Sequence, residues 1–194
     1  MKHGRFSPAL AAAAALAMVP TAARHITPTV ELVKQVVVIR QTLPGATQFF
    51  ARNVTIGKED FQKLKQMGDY VPEDPDVRFF YGKDPKGELV GVVLFPQVNT
   101  IQHGPIELGL TVGPNGTVAS AVVTKATVET KPWVEEVIKA GFLRNFEGLP
   151  ASAPADLSAK ISTAGLSSMP AYMGKVINQT VNQGIVLYKV LFTP

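Results

Sequence analysis

The spacing of apolar positions changes along this chain, and each change predicts an element. Leu32, Val36, Ile39 and Leu43 recur at helical spacing after Thr27-Pro28. That pair suits a helix start, with threonine as cap and proline in the first turn. The β-branched run Val36-Val37-Val38-Ile39 leaves a strand open as the alternative. Leu43-Pro44-Gly45 ends either one. Residues 49–56 read as a short strand. Gly57 then opens a helix over 58–67, with Phe61 and Leu64 inward and Gly68 as its stop. Residues 71–76 carry Pro72 and Pro75 and read as a loop, within an acidic stretch over 69–76.

From Val77 onward the period is that of strands. Residues 78–81 form the first, and Asp84-Pro85-Lys86-Gly87 is a turn. Residues 88–98 are almost continuously apolar and read as one central strand. Ile106, Leu108, Leu110 and Val112 alternate along a strand over 105–112. Gly113-Pro114-Asn115-Gly116 is a hairpin turn into a strand over 117–128. Residues 131–146 predict a helix with Pro132 in its first turn and Trp133, Val137 and Phe142 toward the sheet. Gly148-Leu149-Pro150 ends it, and 151–155 is loop. A last helix starts near Ser168 as cap, with Pro170 just inside and Met169, Met173, Val176, Ile177 and Thr180 on one face. Gly184 breaks it, and 185–192 reads as a final strand. The order predicts an α+β fold, an antiparallel β-meander packed against several helices.

Composition narrows the class. The chain has 194 residues, 46% hydrophobic and 18% charged, which suits one folded domain. Lys2, His3 and Arg5 precede an apolar run over 8–19 and then Pro20-Thr21-Ala22-Ala23. This is the pattern of a secretory signal over 1–23, with cleavage after Ala23 and an uncleaved anchor as the alternative. A single domain over 24–194 is then expected in the periplasm or at the outer face of the cytoplasmic membrane. The chain has no cysteine, which removes disulfides, thiolate nucleophiles, iron–sulfur clusters and a lipid-anchored N-terminal cysteine. Its net charge of +4 comes without a Lys/Arg run, so nucleic acid is not the expected partner, while a peripheral membrane contact is compatible. His103 stands in a His-Gly-Pro loop with only His3 and His25 elsewhere, so no metal site is expected, and His103 reads as a surface or structural histidine.

Four features between 77 and 177 occur together. They are the Gly-bounded strand His103-Gly104-Pro105-Ile106 through Leu110 to Gly113, and the hairpin Pro114-Asn115-Gly116-Thr117-Val118. Glu129-Thr130 follows, with Lys131 before Pro132, and then Phe142-Leu143-Arg144-Asn145-Phe146-Glu147-Gly148. In order and spacing they resemble the FMN-binding domain family, found in periplasm-facing subunits of the sodium-pumping NADH:quinone oxidoreductase and related complexes. Leu43-Pro44-Gly45-Ala46 is similar to a leader element of some members. The resemblance covers about half of the chain.

The family attaches FMN through the threonine of a Ser/Thr-Gly-Ala-Thr motif. The matching stretch here is Ser162-Thr163-Ala164-Gly165-Leu166-Ser167-Ser168. Gly165, or Leu166 after a slip of one, stands at the attachment position, and neither has a hydroxyl. The resemblance therefore implies a flavin held without a covalent bond, if one is held. Its contacts would come from Glu129, Thr130, Ser162, Thr163, Gly165, Leu166, Ser167 and Ser168. A helix N-terminus at Ser168 suits a phosphate. The same serines can equally be helix caps, and Thr130 can cap the helix that follows it. Trp133 can stack on a flavin ring or pack in the core. The implied function is electron transfer at the outer face of the membrane, with a membrane-bound electron-transfer complex or redox protein as partner. The alternative is a non-catalytic accessory subunit that has lost its flavin. An exported binding domain for another small ligand is the third reading.

Overall fold

The computed structural model describes residues 27–192 apart from 69 and 101. The signal segment over 1–23 lies outside the described residues. The elements run β1 (Thr29–Glu31), α1 (Gln35–Thr42), β2 (Gln48–Thr55), α2 (Lys58–Gln66), β3 (Asp76–Lys83), β4 (Leu89–Leu94) and β5 (Gln97–Thr100). They continue with β6 (Gly104–Val112), β7 (Val118–Thr127), α3 (Lys131–Lys139), a 3-10 turn (Phe142–Phe146), α4 (Ser158–Thr163), α5 (Ser168–Leu187) and a π turn (Tyr188–Phe192). All seven strands join one antiparallel sheet in the order β1-β7-β6-β4-β3-β2, with β5 pairing β6 beside that path. The chain is α+β, as its periodicity predicts. Among the described residues no helix is long and apolar enough to cross a membrane.

Side-chain alternation assigns the two faces of the sheet. Phe79, Val92, Leu94, Leu108, Leu110 and Val123 point into the main core, which α5 and α3 cover. Val93, Phe80 and Val122 point to the other face, where α1 covers them with Val38 and Leu43. Both faces are therefore dry at the centre, which is why the 88–98 stretch carries little polar alternation. Long helix α5 is buried almost all round over residues 180–187, polar Thr180, Asn182 and Gln183 included.

Several elements depart from the sequence pattern. Thr27-Pro28 starts no helix. It leads into β1, which pairs with β7 through Thr29↔Thr127 and Val30↔Ala126, and the Pro28 carbonyl accepts from Val128 N at 2.9 Å. The helix starts later, at Gln35, and the β-branched run lies within it. Phe61 is exposed and Leu64 alone anchors α2 in the core. The 131–146 helix divides at Gly141, whose φ of 73° ends α3 before the 3-10 turn. Gly184 does not break α5. A Cβ there would lie 2.7 Å from Leu110 Cδ2, so the glycine lets the helix lie close on the sheet. The 185–192 strand is absent, because those residues continue the helix and its π turn. Their β-branched character yields to burial against the sheet.

The predicted 88–98 strand is interrupted at Phe95-Pro96, although β4 and β5 keep one register against β6, through Leu94↔Leu110 and Gln97↔Glu107. Proline has no N–H to give to a neighbouring strand. On the other side, β3 pairs with β4 only from Phe79 onward, while Asp76, Val77 and Arg78 pair with β2 alone. The sheet therefore splits between the start of β3 and the Phe95–Asn99 stretch, and a cleft of about 760 Å³ opens there.

Candidate functional site

Two stretches singled out in the sequence meet at one end of the molecule. The β6–β7 hairpin shifts register between Glu107 and Leu108 and between Thr111 and Val112. Continued past Glu107↔Lys125, the shifted register sets His103 opposite Glu129. The His103 ring nitrogen Nδ1 lies 3.1 Å from Glu129 Oε1. Its ring meets Trp133 edge-on at 5.4 Å and Tyr172 at 6.0 Å between centroids. Trp133 belongs to the first turn of α3, and Tyr172 to the second turn of α5. These side chains form a half-exposed wall of one imidazole, two aromatic rings and one carboxylate.

Thr130 belongs to the same end but is fully buried. It occupies the cap position of α3, yet its hydroxyl reaches backward rather than into the helix. Thr127 Oγ1 donates to the His103 carbonyl at 3.0 Å, which leaves Thr130 Oγ1 to donate across the 2.9 Å contact to Thr127 Oγ1. Thr130 Oγ1 also accepts from Thr127 N at 3.1 Å. This closed network fastens the His103 loop to the start of α3. None of it faces outward to a ligand.

The Ser162–Ser168 stretch is not one loop. Ser162 and Thr163 end α4, a helix that the sequence pattern does not predict. Ser162 Oγ donates to the Ser158 carbonyl at 3.1 Å, and Thr163 Oγ1 to the Ala159 carbonyl at 3.1 Å. The Ser158 hydroxyl, and then the Ser158 N–H that donates to Asp156 Oδ1 at 2.9 Å, hold the exposed Asp156 carboxyl below its ordinary pKa. Gly165 follows with φ 67° and open space around its Cα, and Leu166 packs against the core. Ser167, rather than Ser168, is the N-cap of α5, and its hydroxyl makes no capping bond. Ser167 N points to Glu136 Oε1, 3.5 Å away on α3. The exposed start of α5 thus faces a carboxylate of the chain itself.

At residues 162–166, where the attachment motif aligns, no free hydroxyl fits a covalent flavin bond. Ser162 and Thr163 spend theirs on their own helix, and Gly165 and Leu166 have none. A non-covalent flavin fits better. The α5 start offers backbone N–H groups, exposed Ser167 and Ser168 offer hydroxyls, and Trp133 and Tyr172 offer ring faces nearby. Glu136 opposes a phosphate there, although its side chain is exposed and free to turn aside.

Sequence reasoning passed over Tyr172 and Glu136 and read His103 as a surface or structural histidine. The hairpin gave a partial signal for His103. Without the two register shifts it would face Thr127, and only the shifts bring it to Glu129. Among the described residues, no group of three His, Cys, Asp or Glu side chains could hold a metal ion. Compared with known proteins, the chain matches no family model, no curated protein and no solved structure.

Proposed function

We propose that this chain is an FMN-binding-domain-like protein acting in electron transfer at the outer face of a membrane, with any flavin held without a covalent bond. One observation carries the reading. Glu129-Thr130 and Ser167-Ser168, far apart in sequence, lie at the starts of two packed helices, with His103, Trp133 and Tyr172 forming one wall beside them. The exposed N–H groups of α5 and the hydroxyls of Ser167 and Ser168 would hold the phosphate, and Trp133 and Tyr172 would flank the ring system. FMN would supply the electron chemistry. The chain would position it and set its surroundings. The partner in this reading is a membrane-bound electron-transfer complex or redox protein.

Glu136 favours a second reading. A carboxylate set against the α5 start takes the place that an anionic ligand would use. A chain that kept the fold and lost the flavin would serve as a non-catalytic accessory subunit of such a complex.

The deciding measurement is an absorption spectrum of protein purified from its native membrane fraction, before and after acid precipitation. A flavin band that leaves with the supernatant supports the carrier. A band retained in the pellet requires a covalent bond and overturns the non-covalent assignment. Colourless protein that also fails to bind added FMN leaves the accessory reading.

A further inference from the structure

We infer that the free edge of the sheet at β2, with α2 packed beside it, is a docking surface for an anionic lipid bilayer. The inference adds to the membrane placement proposed above and is independent of the flavin. Helix α5, 20 residues and about 30 Å long, separates this edge from the His103 wall, since Tyr172 lies near its start and the π turn follows its end.

The first observation is the grouping of exposed rings. Phe49, Phe50 and Phe61 are the three exposed phenylalanines among the described residues, each at least 40% exposed. Two stand at the start of β2, the last strand in the sheet order, and the third stands on α2. They belong to one end of the molecule. Phe50 stacks on Tyr81 at 5.2 Å, Tyr81 meets Phe192 of the π turn at 6.0 Å, and α2 packs on that turn. Strand alternation sends Phe49 to the opposite side of β2, so the edge carries a ring on each side. Apolar rings grouped at a surface mark an interaction site.

The second observation is the charge between those rings. All three cation–π contacts among the described residues lie here. Lys83 Nζ is 5.9 Å from the centroid of Phe50, Lys65 Nζ is 5.1 Å from that of Phe61, and Arg52 Cζ is 5.6 Å from that of Phe192. Helical spacing puts Lys58, Phe61, Gln62 and Lys65 on one side of α2, with Glu59 and Asp60 off it. Arg52, Lys58, Lys65 and Lys83 make no ion pair among the described residues. Rings interleaved with unpaired cations match both layers of a bilayer surface. The rings enter the acyl boundary, and the cations meet anionic headgroups.

The geometry favours a bilayer over a second copy of the chain. An edge strand has free N–H and C=O groups that another strand could pair with, and Arg52, in the middle of β2, is the kind of charge that discourages such pairing. A shallow bilayer contact leaves those backbone groups at the hydrated headgroup level. Only the rings reach deeper, so no backbone group is stranded in hydrocarbon.

The test is co-flotation of the full chain over a titration of vesicles, phosphatidylcholine with phosphatidylglycerol against phosphatidylcholine alone. Binding to the anionic vesicles is expected, and it should fade with added salt. The double variants Phe50→Ser/Phe61→Ser and Arg52→Glu/Lys65→Glu change exposed positions only, and each should weaken binding at least tenfold. Phe61→Trp should report the contact directly, by a blue shift of its emission on anionic vesicles. Trp133, the single tryptophan of the chain, should not shift in the wild type, because it lies at the His103 wall. No preference for anionic vesicles overturns the proposal. So does undiminished binding by both double variants, which would trace attachment to another part of the chain. A blue shift of Trp133 would put the bilayer at the wrong end and overturn it as well. A lipid-free dimer in sedimentation equilibrium, dispersed by Phe50→Ser/Phe61→Ser, would give the edge to a second copy instead. None of these readouts involves flavin, so failure here leaves the electron-transfer reading to its own test.

Discussion

The His103 end and the cleft through the sheet are opposite solutions to the same problem of polar groups near a core. At the His103 end the polar groups answer one another. Thr127 and Thr130 close a network, Ser162 and Thr163 bond to their own helix, and Glu136 faces the start of α5. Beside the cleft, Gln183 Oε1 is left without a donor, and Glu73, Asp74 and Asp76 share the cleft wall with Arg78, which is engaged by Asn53. Motif reading led to the first region, whereas the two buried oxygens that lack a donor among the described residues, Asn178 Oδ1 and Gln183 Oε1, both lie on the second half of α5. A satisfied network marks what holds the fold, and an unsatisfied buried group marks a polar atom whose removal should not weaken it.

The sharpest way to test this contrast is to break the closed network. Thr130→Val removes the acceptor of Thr127 N in a fully buried setting. It should cost about 1–3 kcal/mol in urea unfolding. A neutral result would mean that the network is not holding the His103 loop.

Much of the fold was legible and much of the site was not, for one physical reason. Ile106, Leu108, Leu110 and Val112 alternate because one face of β6 meets α5, so period alone finds that strand. The start of α2 after Gly57 and the Gly113–Gly116 turn are local events with local residue signals. What local signals cannot report is which distant surface comes to lie beside a segment. Ile185 and Val186 have strand character, and only contact with the sheet keeps them helical. Two register shifts carry His103 from Thr127 to Glu129, and no residue type announces them. Pro96 was visible within a run read as one strand. Its consequence, a split sheet, depends on β3 ending its pairing at Phe79.

The next prediction has the opposite sign. Gln183→Met exchanges an unpartnered amide for an apolar chain of similar length, so the protein should gain about 1 kcal/mol in urea unfolding. Lost stability instead would show that the Gln183 amide is satisfied in solution.

A smaller effect sets the alkaline limit at the cleft end of α5. Tyr188 follows Leu187 of the cleft, stacks on Phe192 at 5.6 Å and is buried, which raises its hydroxyl pKa above the ordinary 10.0. The unfolded chain then ionises first as the pH rises. The stabilising contribution is complete below pH 10 and is lost as the pH climbs through the raised value. Tyr188→Phe should flatten the fall of stability above pH 10. An unaltered alkaline slope would assign it to other groups.

The smallest change in stability carries the widest functional meaning. Glu136→Gln takes a negative charge from the start of α5 across a long 3.5 Å contact between exposed groups. The loss should be only a few tenths of a kcal/mol, because such helix-end effects are screened at the surface. Flavin affinity separates the readings far more strongly. If the α5 start holds a phosphate, removing the opposing carboxylate strengthens FMN binding severalfold, and that gain fades with added salt. If the chain has lost its flavin, neither wild type nor Glu136→Gln binds FMN, and the carboxylate is simply the helix's own substitute for an anion. Fluorescence quenching of added FMN, followed in both proteins across a salt series, separates the two.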